Sequence, residues 1–170
     1  MKLYIKHQES YSQIELLLRT FFGWLYIAIP HGIVLFFLGF ASMFITFIAF
    51  WAILFTGNYP RSLYEFQVNF FRWNLRVSAR LFHLSDGYPA FGLNTREERT
   101  DFDMPYPESL NRGILLLKVF FGFFYVIIPH GFILFFRMIA TMFLMFLAWF
   151  VVLFTGNYPE SWHSFNVGTL

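Results

Sequence analysis

From Phe21 to Phe55 the chain carries no charged side chain. As one helix this run of about 35 residues would be roughly 50 Å long at ~1.5 Å per residue, against a hydrocarbon core about 30 Å thick. One straight span is too long for the bilayer. Two short spans joined by a tight turn near Gly39 to Ser42 fit it better. A second apolar run follows Lys118 and is interrupted only by Arg137. An unpaired Arg in mid-bilayer is costly, whereas at a hairpin tip it reaches water. The runs therefore predict four spans, at 20–38, 41–57, 119–137 and 139–156, arranged as two helical hairpins.

The two runs are copies. Ile29-Pro30-His31-Gly32 recurs as Ile128-Pro129-His130-Gly131 (128 − 29 = 99), and Leu54 to Pro60 recurs as Leu153 to Pro159 at the same offset. Pro30 and Pro129 remove a backbone donor and kink a helix. Gly57 and Gly156 suit a left-handed helix end, and Pro60 and Pro159 forbid continuation. Each copy thus carries its own kink and its own stop.

Composition agrees with a membrane chain. Of 170 residues, 58% are hydrophobic, 24% aromatic and only 13% charged, with 27 Phe. A soluble domain of this size needs more polar surface. The absence of Cys excludes disulfides, iron–sulfur clusters and thiolate zinc sites. Met1 to Thr20 holds Lys2, Lys6, Glu9, Glu15 and Arg19, so the first hydrophobic helix is expected to serve as its own insertion signal.

Between the copies the character changes. Over 61–84, Glu65, Asn69, Arg72, Arg76, Arg80 and His83 share one stripe of a helical wheel beside an apolar face that includes Trp73. This reads as an amphipathic helix lying in the cytoplasmic interface, its arginines meeting anionic headgroups or a partner's acids. Residues 94–110 read as a polar, acidic linker holding Glu97, Glu98, Asp101 and Asp103. The resulting organisation is a polar N-terminus (1–11), a first unit (12–93), the linker (94–110) and a second unit (111–170). Of 12 Lys and Arg only Arg137 falls at a hairpin tip. The positive-inside rule then places both termini and the linker in the cytoplasm. With both units in one orientation, a pseudo-two-fold along the membrane normal should relate them.

Several of these residues together resemble a known family. Pro30-His31, Trp51 with Leu54 to Pro60, Arg72-Trp73 with Arg76-Val77, and Asp86-Gly87-Tyr88-Pro89-Ala90-Phe91 resemble the bacterial membrane proteins grouped as domain of unknown function 4389. The likeness covers about 20–93, and the second unit resembles the first half of the same domain. It implies a multi-pass protein of the bacterial cytoplasmic membrane and no particular activity.

His31 and His130 are the sharpest chemical candidates. Facing one another at one depth, they could ligate a haem or form a proton or quinone site. They could equally bond carbonyls freed by the neighbouring prolines. There is no phosphate loop, Cys nucleophile, Gly-x-Ser-x-Gly or His-Glu-x-x-His motif, and nothing points to nucleic acid. The expectation is an all-α integral membrane protein that is not an enzyme and needs no cofactor. It would serve as an accessory or structural subunit of a larger bacterial membrane complex, its partners being membrane lipids and other subunits. A small lipid-handling or transport protein, and a haem or quinone protein using His31 and His130, are the alternatives.

Overall fold

A computed structural model describes residues 2–170. Two helices of 44 residues, Gln13–Thr56 and Arg112–Thr155, dominate it, and each is long and apolar enough to cross a membrane. The first comprises α1 (Gln13–Gly23), a π-helical turn (Trp24–Ala28) and α2 (Ile29–Thr56); the second comprises α4 (Arg112–Gly122), a π-helical turn (Phe123–Ile127) and α5 (Ile128–Thr155). All these boundaries repeat at the offset of 99 (112 − 13 = 99, 155 − 56 = 99). The remaining elements are β1 (Lys2–Ile5), α3 (Arg61–Leu81), β2 (Thr100–Asp103) and α6 (Glu160–Val167).

The side chains explain these boundaries. Ser12 caps α1 by accepting from the Glu15 N–H at 3.3 Å, and Asn111, its counterpart in the second unit (111 − 12 = 99), accepts from Ile114 N–H at 3.1 Å. The prolines do not break the long helices. Pro has no N–H and its ring crowds the carbonyl one turn back, and here a widened turn relieves that crowding. Ile29 donates to Trp24 O and Ile128 to Phe123 O, five residues back in each case, just ahead of Pro30 and Pro129. Gly57 (φ 77°) and Gly156 (φ 71°) close the helices in the left-handed conformation. Pro60 and Pro159 then open α3 and α6 as their N-caps.

Three expectations need correcting. No turn interrupts Gly39 to Ser42, so the first unit holds one long helix rather than the spans 20–38 and 41–57. The small and polar residues there seat α3 instead. Gly39 faces the Phe70 ring, Ser42 Oγ donates to Gln67 Oε1 at 2.6 Å, and Gln67 Nε2 donates to Ser42 O and Thr46 Oγ1. The second helix likewise runs through Arg137, so 119–137 and 139–156 are not separate spans. Arg137 is no hairpin tip: its guanidinium lies 4.8 Å over the Phe165 ring and donates to Thr169 Oγ1 at 3.2 Å, covered by the C-terminal segment. The third correction concerns symmetry. Tyr11 N–H donates to Gly156 O at 2.7 Å, and Leu110 N–H donates to Gly57 O at 2.8 Å. Each long helix therefore begins where the other ends, and a rotation relating them has its axis across the helices, not along them.

Helix α3 runs back along the first long helix, with Gln67 beside Ser42, Trp73 beside His31 and Leu81 beside Gly23. One apolar cluster joins Ile27, Trp73 and Val77, and a larger one joins Leu16, Val68, Leu75, Leu84, Phe102, Ala148 and Val152. Strand β1 pairs antiparallel with β2, Lys2 opposite Asp103 and Ile5 opposite Thr100, turning part of the polar linker into a two-stranded ribbon on α3. The 94–110 segment is thus part of the folded body.

Candidate functional site

The stripe of α3 arginines faces inward. Arg72, Arg76 and Arg80 are buried, at 2%, 0% and 3% exposure, so they do not meet headgroups or a docking partner as expected. A helical wheel shows which residues share a face but not what covers that face, and residues 92–103 fold over this one. Arg72 Nε donates to Asp101 Oδ1 at 2.8 Å, and Arg80 Nη2 donates to Glu97 Oε2 at 2.5 Å. Arg76 has no carboxylate partner among the described residues and donates to the carbonyls of Gly92 and Thr95. Burial lowers its pKa from the ordinary guanidinium value; Glu97 opposes this, while Arg72 and Arg80 add to it. Hydrogen bonds to an ionised group are shorter and stronger than neutral ones, so Arg76 holds the 92–95 backbone in place.

A second buried pair anchors the other end of this layer. Arg19 Nη2 donates to Asp86 Oδ1 at 2.6 Å, and Asp86 Oδ2 also accepts from Ser12 N–H at 2.7 Å. Gly87 N–H donates to Glu15 Oε2 at 2.6 Å. The Asp86-Gly87-Tyr88-Pro89 turn is therefore fastened to the start of α1, which sequence reading missed. Arg19, a cation just ahead of a long apolar run, and the Asp86-Gly87-Tyr88-Pro89 string were each visible in the sequence, but not their pairing.

His31 and His130 do not face one another. His31 is fully buried, and its Nδ1 accepts from Trp73 Nε1 at 2.9 Å. The rings of Phe91 and Tyr88 lie 4.9 and 5.2 Å away, centroid to centroid, and Nε2 has no partner among the described residues. Every group in this enclosure belongs to the first unit. His130 is exposed on α5, with Nδ1 3.0 Å from Val126 O in the π turn ahead of Pro129. A haem or quinone site shared by the two histidines is not formed. Among the described residues no group of three or more His, Asp or Glu is placed to hold a metal.

The histidines outside the long helices work at junctions. His163 Nε2 bonds Leu84 O at 3.0 Å and His7 Nε2 bonds Tyr158 O at 2.7 Å, the two rings meeting edge to face. Burial lowers the pKa of His163, and lowers that of His83 to about 4 with help from Arg19.

The outer surface of the long helices is the other notable feature. On the first, Phe21, Leu25, Ile29, Ile33, Phe36, Phe40, Phe44, Phe47, Trp51 and Phe55 are exposed, at the three-to-four-residue spacing of one helix face. The opposite face, through Leu16, Arg19, Gly23, Ile27, His31, Ala49 and Ile53, is buried. The second helix is exposed on nearly every side from 116 to 136.

No curated protein and no solved structure shows a significant match to this chain. A family does. The match begins in α1, runs through the proline turn, the Gly57 stop and the α3 arginines, and ends just past the Asp86-Gly87-Tyr88-Pro89 turn: residues 15–92 are similar to the family described as Domain of unknown function (DUF4389).

Proposed function

We propose that this is a membrane protein without catalytic activity, whose two long helices lie in the plane of the bilayer surface with their apolar faces in lipid. It would act there as an accessory or structural subunit of a larger assembly. The observation that carries this is the uncharged, exposed aromatic stripe of the first long helix, backed along its opposite face by a polar layer. A perpendicular crossing would carry α3 and its arginine–carboxylate pairs into hydrocarbon, where each ionised group is expensive. Lying flat, the same helix buries its phenylalanines in lipid and keeps Arg61, Glu65 and the ribbon in water. The exposed surface supports incomplete burial: 10802 Å² for 20.3 kDa, against about 8,800 Å² for a typical soluble monomer of that mass. The bacterial cytoplasmic membrane is the compartment implied by the family resemblance, with residues 2–12 and 160–170 on the cytoplasmic side.

Because the chain has no Cys, single cysteines give a clean depth measurement. Spin labels at Leu25→Cys, Phe36→Cys and Phe47→Cys should report one shallow depth in vesicles. A profile that deepens at the middle position and becomes shallow again would instead mean a spanning helix. The subunit role is tested by native purification in mild detergent, where a stoichiometric complex is expected and a chain that always runs as a lone monomer defeats it. A lipid-handling role is the second reading, favoured by the apolar grooves between the long helices.

A further inference from the structure

Two apolar grooves lie between the long helices, and they are copies of one another. The first, about 690 Å³, is lined by Met43, Phe44, Thr46, Phe47 and Phe50 of α2 with Val119 of α4. The second, about 540 Å³, is lined mainly by Met142, Met145, Phe146 and Trp149 of α5 with Thr20 of α1. The repeat offset carries one into the other: 142 − 43 = 99, 145 − 46 = 99, 146 − 47 = 99, 149 − 50 = 99 and 119 − 20 = 99. Met, Phe and an aromatic recur at matching places.

We propose that each groove seats one acyl chain of a membrane lipid, giving two equivalent lipid sites per chain. This rests on the membrane placement above and extends it to a ligand. The lining contains no charged residue apart from the titratable His83 beside the second groove. The other polar groups are already engaged: Thr46 Oγ1 accepts from Gln67 at 2.9 Å, and Thr20 Oγ1 accepts from Trp149 Nε1 at 2.8 Å. A ligand here meets only hydrocarbon and soft, adaptable Met side chains. Size separates a lipid tail from a partner helix. A helix about 10 Å across with a pitch of 5.4 Å fills roughly 400 Å³ per turn, so each groove holds fewer than two turns. An acyl chain is slim enough to lie along it. The His83 ring completes the wall of the second groove.

The test uses the full chain reconstituted in nanodiscs of dioleoyl phosphatidylglycerol, released into mild detergent and weighed by native mass spectrometry. The wild type should retain two lipids per chain. Val119→Trp, filling the first groove, and Met145→Trp, filling the second, should each lose one, and the double variant both, with helical content unchanged by circular dichroism. Flotation with vesicles of the same lipid is measured in parallel. If the double variant floats and still carries two lipids, or if the wild type floats and carries none, the groove proposal is overturned while the membrane reading stands. A lipid-free dimer with its grooves covered by a second copy overturns it too. A wild type that does not float defeats the membrane reading itself.

Discussion

Trp73 and His31 form a closed pair in which each ring nitrogen engaged depends on the other. Trp73→Phe leaves His31 with both nitrogens buried and unpartnered, which should cost about 1–3 kcal/mol. His31→Leu strands the indole N–H at a similar cost. The double variant should be less destabilised than the sum, with a coupling of about 0.5–3 kcal/mol in a denaturant-unfolding cycle. Arg76→Gln should cost about 2–4 kcal/mol, because it releases two carbonyl contacts inside a covered layer, and the loss should appear as faster amide exchange across 92–95. His83 gives a pH signature. Its folded pKa of about 4 lies below the ordinary value of about 6.5. The unfolded chain therefore binds the proton first, and stability falls as pH drops from about 7 toward 4. His163 shifts the same way. His83 has φ 58°, a conformation Asn tolerates, so His83→Asn should keep the turn and flatten the fall of Tm on acidification. These roles were only half legible in the sequence. That Arg72, Arg76 and Arg80 share a stripe follows from helical spacing; their carboxylate and carbonyl partners lie on a separate segment, and no local pattern pairs them.

At the level of elements, the helix stops were readable because Gly-Asn-Tyr-Pro combines a left-handed residue with a residue that cannot continue the helix. Gly57→Ala should cost about 1–2 kcal/mol, since Ala at φ 77° is strained, and Gly156→Ala a comparable amount; thermal melts check both. The missing hairpin turns were misread for a definite reason. Helix length was judged against bilayer thickness, which presumes a helix crossing the membrane. Gly39 and Ser42 looked like turn residues, yet a helix interface also selects small and polar groups where another helix approaches closely. Gln67→Leu tests that second role. It leaves Ser42 and Thr46 without their partner and should loosen α3 from α2, measured as faster exchange along α3. The ribbon was illegible because strands of four residues carry too little periodicity to stand out from a polar linker.

For the whole molecule, chain-level duplication explains more than any single site. The same helix, turn and stop are used twice, so two equivalent grooves arise without a separate sequence for each. Unit one adds α3 and its arginine layer, which encloses His31; His130, in the same local sequence, stays open. The two long apolar runs were legible from apolar content alone. The antiparallel arrangement was not, because it depends on where residues 82–111 lead the chain.

The two end contacts, Tyr11 with Gly156 and Gly57 with Leu110, act in parallel. Once either is made, the other forms within one tethered body at high effective concentration. Integrity along this rod therefore need not depend on the covalent link between the units. A protease site introduced at Glu108-Ser109, where the backbone is exposed, should give two fragments that stay together through gel filtration in mild detergent. The continuous chain would then matter mainly for bringing the halves together during synthesis, while the finished particle behaves as a non-covalent pair.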